Sequence, residues 1–185
     1  AQAAEQEWGQ GLITSWNAAG WIEAPARAGG KLARLVGAQA HEVVVADSTS
    51  VNLFKLAAGA LSLRPGRRTI ITESGNFPTD VYVLEGVARM AGATLKVLPP
   101  DDVVGAIDDD TAAVVLTHVH YKTARRRDIA GVTAAAHAKG ALMLWDLSHS
   151  AGVVPVGLES SRADFAVVCG YKYLSAGPGA PALAY

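Results

Sequence analysis

Trp145-Asp146-Leu147-Ser148-His149-Ser150-Ala151-Gly152, followed by Cys169-Gly170-Tyr171-Lys172-Tyr173, is the stretch on which the reading of the fold turns. The apolar run Ala141 to Trp145 reads as a buried strand and delivers a single carboxylate, Asp146. A second run, Phe165 to Cys169, delivers a single amine, Lys172. Acid and amine are 26 positions apart, each at the carboxyl end of a strand. Open α/β sheets bind their ligands beyond those ends. Strands often end in Asp, and lysines after strands are usually solvated. What singles this pair out is its occurrence on consecutive strands, with Tyr171 and Tyr173 around the lysine and His149 three residues past the acid.

One acid and one amine so placed suit pyridoxal phosphate. Its aldehyde takes a lysine, and its pyridinium nitrogen takes an acidic partner that makes the ring a stronger electron sink.

Outward from this centre, strand and helix signals alternate. Residues 5 to 18 read as a helix, with Trp8, Leu12 and Trp16 at helical spacing and expected in the core or at a subunit contact. Ala26 to Val36 is a second helix, stopped by Gly37. Glu42 to Ala46 is a short strand, followed by the hydroxyl-rich turn Asp47-Ser48-Thr49-Ser50 and a helix from Val51 to Leu63. That turn supplies an N-cap. With Thr49 and Ser50 beside a helix amino terminus, it also suits a phosphate. Thr69 to Thr72 is a strand leading to Phe77-Pro78-Thr79-Asp80 and a helix that runs to Ala91 before Gly92. Phe77 is placed to cover a planar ring, and Asp80 to cap the helix or serve the site. Thr94 to Leu98 is a strand, Val103 to Ile107 a short helix, and Ala113 to Leu116 a strand reaching Thr117. Asp128 to Lys139 is an amphipathic helix. The glycine-rich loop 175–181 leads to a last strand from Ala182.

This pattern predicts an α/β three-layer sandwich with a mainly parallel sheet. Thr49, Ser50, Phe77, Asp80, Thr117, Asp146, His149 and Lys172 then converge from five strand ends. His118 and His120, at i and i+2, lack further ligands at metal spacing, so no metal is expected. Asp108-Asp109-Asp110 lacks the alternation of a calcium loop.

Half of the 185 residues are hydrophobic, 18% are charged and the formal net charge is −1, so neither nucleic acid nor an anionic membrane is expected as a partner. Arg125-Arg126-Arg127 reads as a solvated loop or helix start. No apolar run approaches a membrane span, and no leader peptide is read at the amino terminus. The single cysteine, Cys169, fits a reducing compartment, and the cytoplasm is the expected location.

The assembled motifs resemble the kynureninases, pyridoxal 5'-phosphate enzymes of fold type I related to class V aminotransferases. The matching segments are Glu7-Trp8-Gly9 through Ile22, Asp47 to Leu53, Phe77 to Asp80, Trp145 to Gly152, Tyr171 to Leu174 and Gly177 to Pro181. They cover essentially the whole chain in family order. The resemblance implies that Lys172 carries the Schiff base. It implies that Asp146 pairs with the pyridinium nitrogen, with Asp80 close by, and that Phe77 stacks on the ring. Thr49, Ser50 and Tyr171 would hold the phosphate, and Thr117 and His149 would be further cofactor contacts. The implied reaction is hydrolysis of L-kynurenine, or 3-hydroxykynurenine, to an anthranilate and L-alanine, in tryptophan catabolism toward NAD biosynthesis. Lys172 would move the α-proton and Tyr171 would donate one later. The implied assembly is a homodimer with shared sites.

The chain departs from the family in length. It ends thirteen residues after the lysine. Residues 1–185 would therefore form an incomplete pyridoxal-phosphate-binding large domain without the family's carboxy-terminal small domain. Cysteine desulfurases, selenocysteine lyases and small-substrate aminotransferases share the expected fold, but carry Asp-Gly-Ala-Gln where this chain has Asp146-Leu-Ser-His149. A desulfurase also needs a mobile cysteine. An inactive fragment that assembles with a partner chain is the alternative outside catalysis.

Overall fold

Short continuous apolar runs and longer stretches of period 3.6 alternate along this chain, the first forming strands and the second helices. The computed structural model describes all 185 residues. Its strands are β1 (Val44–Ala46), β2 (Thr69–Glu73), β3 (Thr94–Leu98), β4 (Thr111–Thr117), β5 (Leu142–Asp146), β6 (Phe165–Val168) and β7 (Ala182–Ala184). Its α-helices are α1 (Ser15–Ala18), α2 (Ala24–Val36), α3 (Thr49–Ser62), α4 (Pro78–Ala91), α5 (Ile129–Ala138) and α6 (Leu158–Ser161).

The strands form one sheet in the order β1-β7-β6-β5-β4-β2-β3. The pairs from β6 through β3 are parallel, while β7 is antiparallel to both β1 and β6. β1 therefore runs in the same direction as β6. The carboxyl ends of β1, β2, β4, β5 and β6 open on one edge, as the strand-end reading requires.

The central strands β2, β4 and β5 are buried along their whole length. Their side chains alternate between two cores, the signature of a sheet covered on both faces. Ile71, Val114, Leu116, Met143, Trp145 and Val168 pack on one side with residues of α2 and α5. Ile70, Val115, Leu144 and Val167 pack on the other with Leu53 and Ala57 of α3 and Leu84 and Val87 of α4. This is the expected three-layer sandwich. Trp145 is fully buried, and its indole donates to Thr133 Oγ1 at 3.1 Å, so the polar end of the ring is satisfied.

Three expectations are corrected. Residues 5 to 18 are not one helix but a π-helical turn (Ala3–Trp8), a 3-10 turn (Leu12–Thr14) and the single turn α1. Gly9 and Gly11 weaken the helix, and Leu12 adopts φ 46° between the pieces. Trp8, Leu12 and Trp16 do not reach the core of this chain and are 49–60% exposed. The helix placed from Val51 begins at Thr49, capped by Ser48, whose Oγ accepts from Val51 N at 3.3 Å. Finally, Arg127 is not solvated: it is buried in an ion pair with Glu73 and also donates to Pro100 O.

Candidate active site

Lys172 stands in a turn beyond β6, and backbone packing fixes that turn. A Cβ on Gly170 would lie 2.3 Å from Pro181 O, so only glycine lets the glycine-rich loop close over the lysine segment. Ala176 N donates to Gly170 O at 3.0 Å, and Ser175 N donates to Lys172 O at 3.0 Å.

The lysine side chain enters a cavity of about 130 Å³ at the sheet edge. Thr49, Ser50, Phe77, Asp80, Asp146, Tyr171 and Lys172 all line it. Lys172 Nζ sits 5.2 Å from the Phe77 ring centre and 5.9 Å from that of Tyr171. It also contacts His149, with Nζ and Nε2 3.2 Å apart. The His149 ring lies between Tyr121 and Tyr173, at 6.1 and 6.3 Å. Burial, then the positive charge of Lys172, hold His149 below its usual pKa, so the ring is neutral at pH 7.

Asp146 is delivered by the last residue of β5, in register with Thr117 and Val167 of the flanking strands. Its Oδ1 accepts from Ser148 N at 2.8 Å, which fixes the carboxylate's direction. Asp80, in the first turn of α4, is as deeply buried as Asp146. Burial, followed by the negative charge of Asp146, pushes the Asp80 carboxyl up to about 8, against the opposing pull of Lys172. At neutral pH Asp80 therefore keeps its proton beside Asp146.

At the start of α3 the Ser48 cap satisfies Val51 N, leaving the amides of Thr49 and Ser50 without intrahelical partners. The Thr49 hydroxyl is buried with no hydrogen-bond partner, as are Asp80 Oδ2 and His149 Nδ1. Buried polar atoms are normally paired. Two unpaired ones on the wall of one cavity, at Thr49 and Asp80, mark where a polar ligand belongs, and His149 adjoins it through Lys172. An anion at the amide end, a flat ring over Phe77 and a group reactive toward an amine at Lys172 match this donor set.

Thr117 stands apart. It lines a neighbouring cavity with Glu73, His120 and Arg127, and its hydroxyl faces the carbonyls of Val119 and Asp146 at 3.3 and 3.4 Å. Ser148, Thr79 and Cys169 line the Lys172 cavity, and Tyr121 borders it through Phe77; the sequence reading assigned none of them to the site. For Ser148 and Thr79 the signal was present, since both directly follow strand-end motifs. Tyr121 carried none beyond its aromatic character.

A family model described as aminotransferase class-V matches residues 18–183. The kynureninase of Pseudomonas fluorescens is 51% identical over 187 residues, covering 97% of this chain and 45% of that protein. The kynureninase of Deinococcus radiodurans is 50% identical over 191 residues, covering 100% of this chain and 46% of that protein. The chain thus spans a little under half the length of the curated relatives it matches. Among solved structures, DndA from Streptomyces lividans superposes with a TM-score of 0.79 at 23% identity, covering 98% of this chain and 52% of that one. A NifS-like protein gives 0.76 at 21% identity, covering 89% and 48%. These two likenesses establish the fold.

Proposed function

This chain belongs to the class-V aminotransferase family, and on that premise we propose that its cavity holds pyridoxal 5'-phosphate and that the complete protein hydrolyses L-kynurenine to anthranilate and L-alanine. One observation carries the cofactor reading. A single cavity collects an amine, two neighbouring acidic side chains of which Asp80 keeps its proton, an exposed aromatic face and an unpaired buried hydroxyl at a helix amino terminus. The substrate reading is supported by 51% and 50% identity to two kynureninases along nearly the whole chain.

The cofactor supplies an aldehyde for a lysine and a ring that takes up negative charge from a substrate carbon. The residues divide the remaining work. The Thr49 and Ser50 amides, with the Thr49 hydroxyl, hold the phosphate. Phe77 stacks on the ring. Asp146 would accept a hydrogen bond from the ring nitrogen, and protonated Asp80 limits the negative charge beside it. Lys172 would hold the aldehyde, and its Nζ amine would be the base for the α-proton. The Tyr171 hydroxyl, in a half-exposed side chain on the cavity wall, is the donor for a later proton. His149, in contact with Lys172, would complete the cofactor surroundings, whereas Thr117 stands in the neighbouring cavity.

The same reading makes residues 1–185 part of a pyridoxal-phosphate-binding large domain and places the protein in the cytoplasm, in kynurenine degradation toward NAD. No helix is long and apolar enough to cross a membrane. A homodimer belongs to this reading too, supported by the exposed Trp8, Leu12, Ile13 and Trp16.

The test is chemical trapping in the complete protein. Borohydride reduction after addition of pyridoxal phosphate should leave the cofactor on the Lys172 peptide, and Lys172→Ala should leave none. Kynurenine should then yield fluorescent anthranilate. Label on another lysine would sink the cofactor assignment, whereas correct labelling without anthranilate would sink the substrate alone. Tyr171→Phe with unchanged turnover and cofactor affinity would remove Tyr171 from proton transfer.

A further inference from the structure

His120 stands beside the cavity without lining it, and both of its ring nitrogens are bonded. Its Nδ1 accepts from the backbone amides of Lys122 and Thr123, at 3.2 and 3.3 Å. An imidazole nitrogen that accepts carries no proton, so the proton is on Nε2. Nε2 then donates to Gly75 O at 2.9 Å. The backbone closes around the residue as well: His120 N donates to Arg125 O at 3.0 Å, and Ala124 N donates to His120 O at 2.9 Å.

These contacts cross between two loops. Gly75 belongs to the turn after β2 that carries Phe77, with Phe77 N held by Asn76 Oδ1 at 2.7 Å. His120 belongs to the turn after β4 that carries Tyr121. The His120 ring stacks on Tyr121 at 5.3 Å and 22° between planes. Tyr121 in turn meets Phe77 edge-on at 5.3 Å and 78°. The far face of this chain of rings is the Phe77 surface under Lys172 Nζ.

We propose that His120 is a positioning residue, pinning the Phe77 turn to the Tyr121 turn so that the ring-stacking floor of the cavity is preformed. The inference rests on the cofactor reading above. Without the link, Phe77 must be ordered at the moment of cofactor binding, and affinity falls by that ordering.

The experiment compares His120→Ala and His120→Gln in the complete protein. Glutamine's side-chain amide reaches the position of Nε2 and still donates to Gly75 O; alanine breaks the link and leaves that carbonyl to solvent. The alanine variant is expected to raise the dissociation constant for pyridoxal phosphate about tenfold, with the unfolding midpoint little changed. The glutamine variant should recover most of that loss. Tyr121→Leu cuts the same link from the ring side, should weaken cofactor binding likewise, and serves if the alanine variant does not fold. Wild-type affinity in His120→Ala or in a folded Tyr121→Leu, or equal loss in the alanine and glutamine variants, would overturn the proposal. Wild-type protein that captures no cofactor at Lys172 would overturn both this inference and the reading beneath it.

Discussion

Lys172 Nζ and His149 Nε2 lie 3.2 Å apart, so one of these two nitrogens must be unprotonated for the contact to be favourable. With His149 held below its usual pKa, it is the histidine that accepts. The bond fixes the end of a long, rotamer-rich side chain. His149→Phe keeps a ring between Tyr121 and Tyr173 but removes the acceptor. Trapping of the cofactor on Lys172 should slow by about fivefold to tenfold, the cost of re-ordering one such side chain. A stopped-flow rate equal to wild type would show that the contact has no part in presenting the amine.

The unpaired Thr49 hydroxyl leads to effects of opposite sign. Thr49→Val is nearly isosteric and removes a buried polar atom without a partner. Cofactor-free protein should gain about 1 kcal/mol of stability, since an unsatisfied buried group carries a penalty of about 1–3 kcal/mol. Affinity for pyridoxal phosphate should fall about tenfold with the lost phosphate contact. Thermal melts with and without cofactor read both effects, and a variant destabilised in both states would contradict this account of the hydroxyl.

Asp80 and His118 oppose each other in the pH profile. Asp80 rises from 3.8 to about 8, so across that window the folded chain holds a proton that the unfolded chain has released, and stability falls as pH rises. Burial and the charge of Arg126 depress His118 from 6.5 to about 4, so between those values the unfolded chain holds the extra proton, and stability rises with pH. The two contributions offset one another below pH 6.5; from there to pH 8 that of Asp80 is left alone, at up to about 1.4 kcal/mol per pH unit. Asp80→Asn should abolish the alkaline decline in denaturant titrations of cofactor-free protein. His118→Gln should instead make stability decline from about pH 4 upward.

Gly170 is required for space. Alanine there would drive Cβ against Pro181 O, backbone against backbone, with no flexible side chain to yield. Gly170→Ala should lose about 1–3 kcal/mol of stability and displace the Lys172 turn. Trapping at Lys172 should drop more than stability does, because the displaced loop carries the lysine itself. Peptide mapping after borohydride reduction measures this directly.

The buried pair of Glu73 and Arg127 ties the end of β2 to the approach of α5. Arg127→Met strands the Glu73 charge, and chemical denaturation should register a loss of about 3–5 kcal/mol. Adding Glu73→Gln to the same chain should recover much of that loss, because the uncompensated charge is then gone.

By itself the sequence determined the α/β alternation, the helix ends at Gly37 and Gly92, and the placing of Asp146 and Lys172 just past apolar strands. Those features are local: a short continuous apolar run or a period of 3.6, a glycine at positive φ, a polar residue that ends a buried run. It also marked Thr49, Ser50, Phe77 and Asp80, because each follows a strand in the chain. Only the tertiary structure decided that β7 inserts antiparallel between β1 and β6, bringing the Thr49 turn to the edge that carries Lys172. It alone set Asp80 against Asp146, so that one acid keeps its proton, and His149 against Lys172. It moved Thr117 into a neighbouring cavity, buried Arg127 and left Trp8, Leu12 and Trp16 outside. These outcomes depend on contacts between residues far apart in the chain, where burial and neighbouring charge, rather than residue type and spacing, set what a side chain can do.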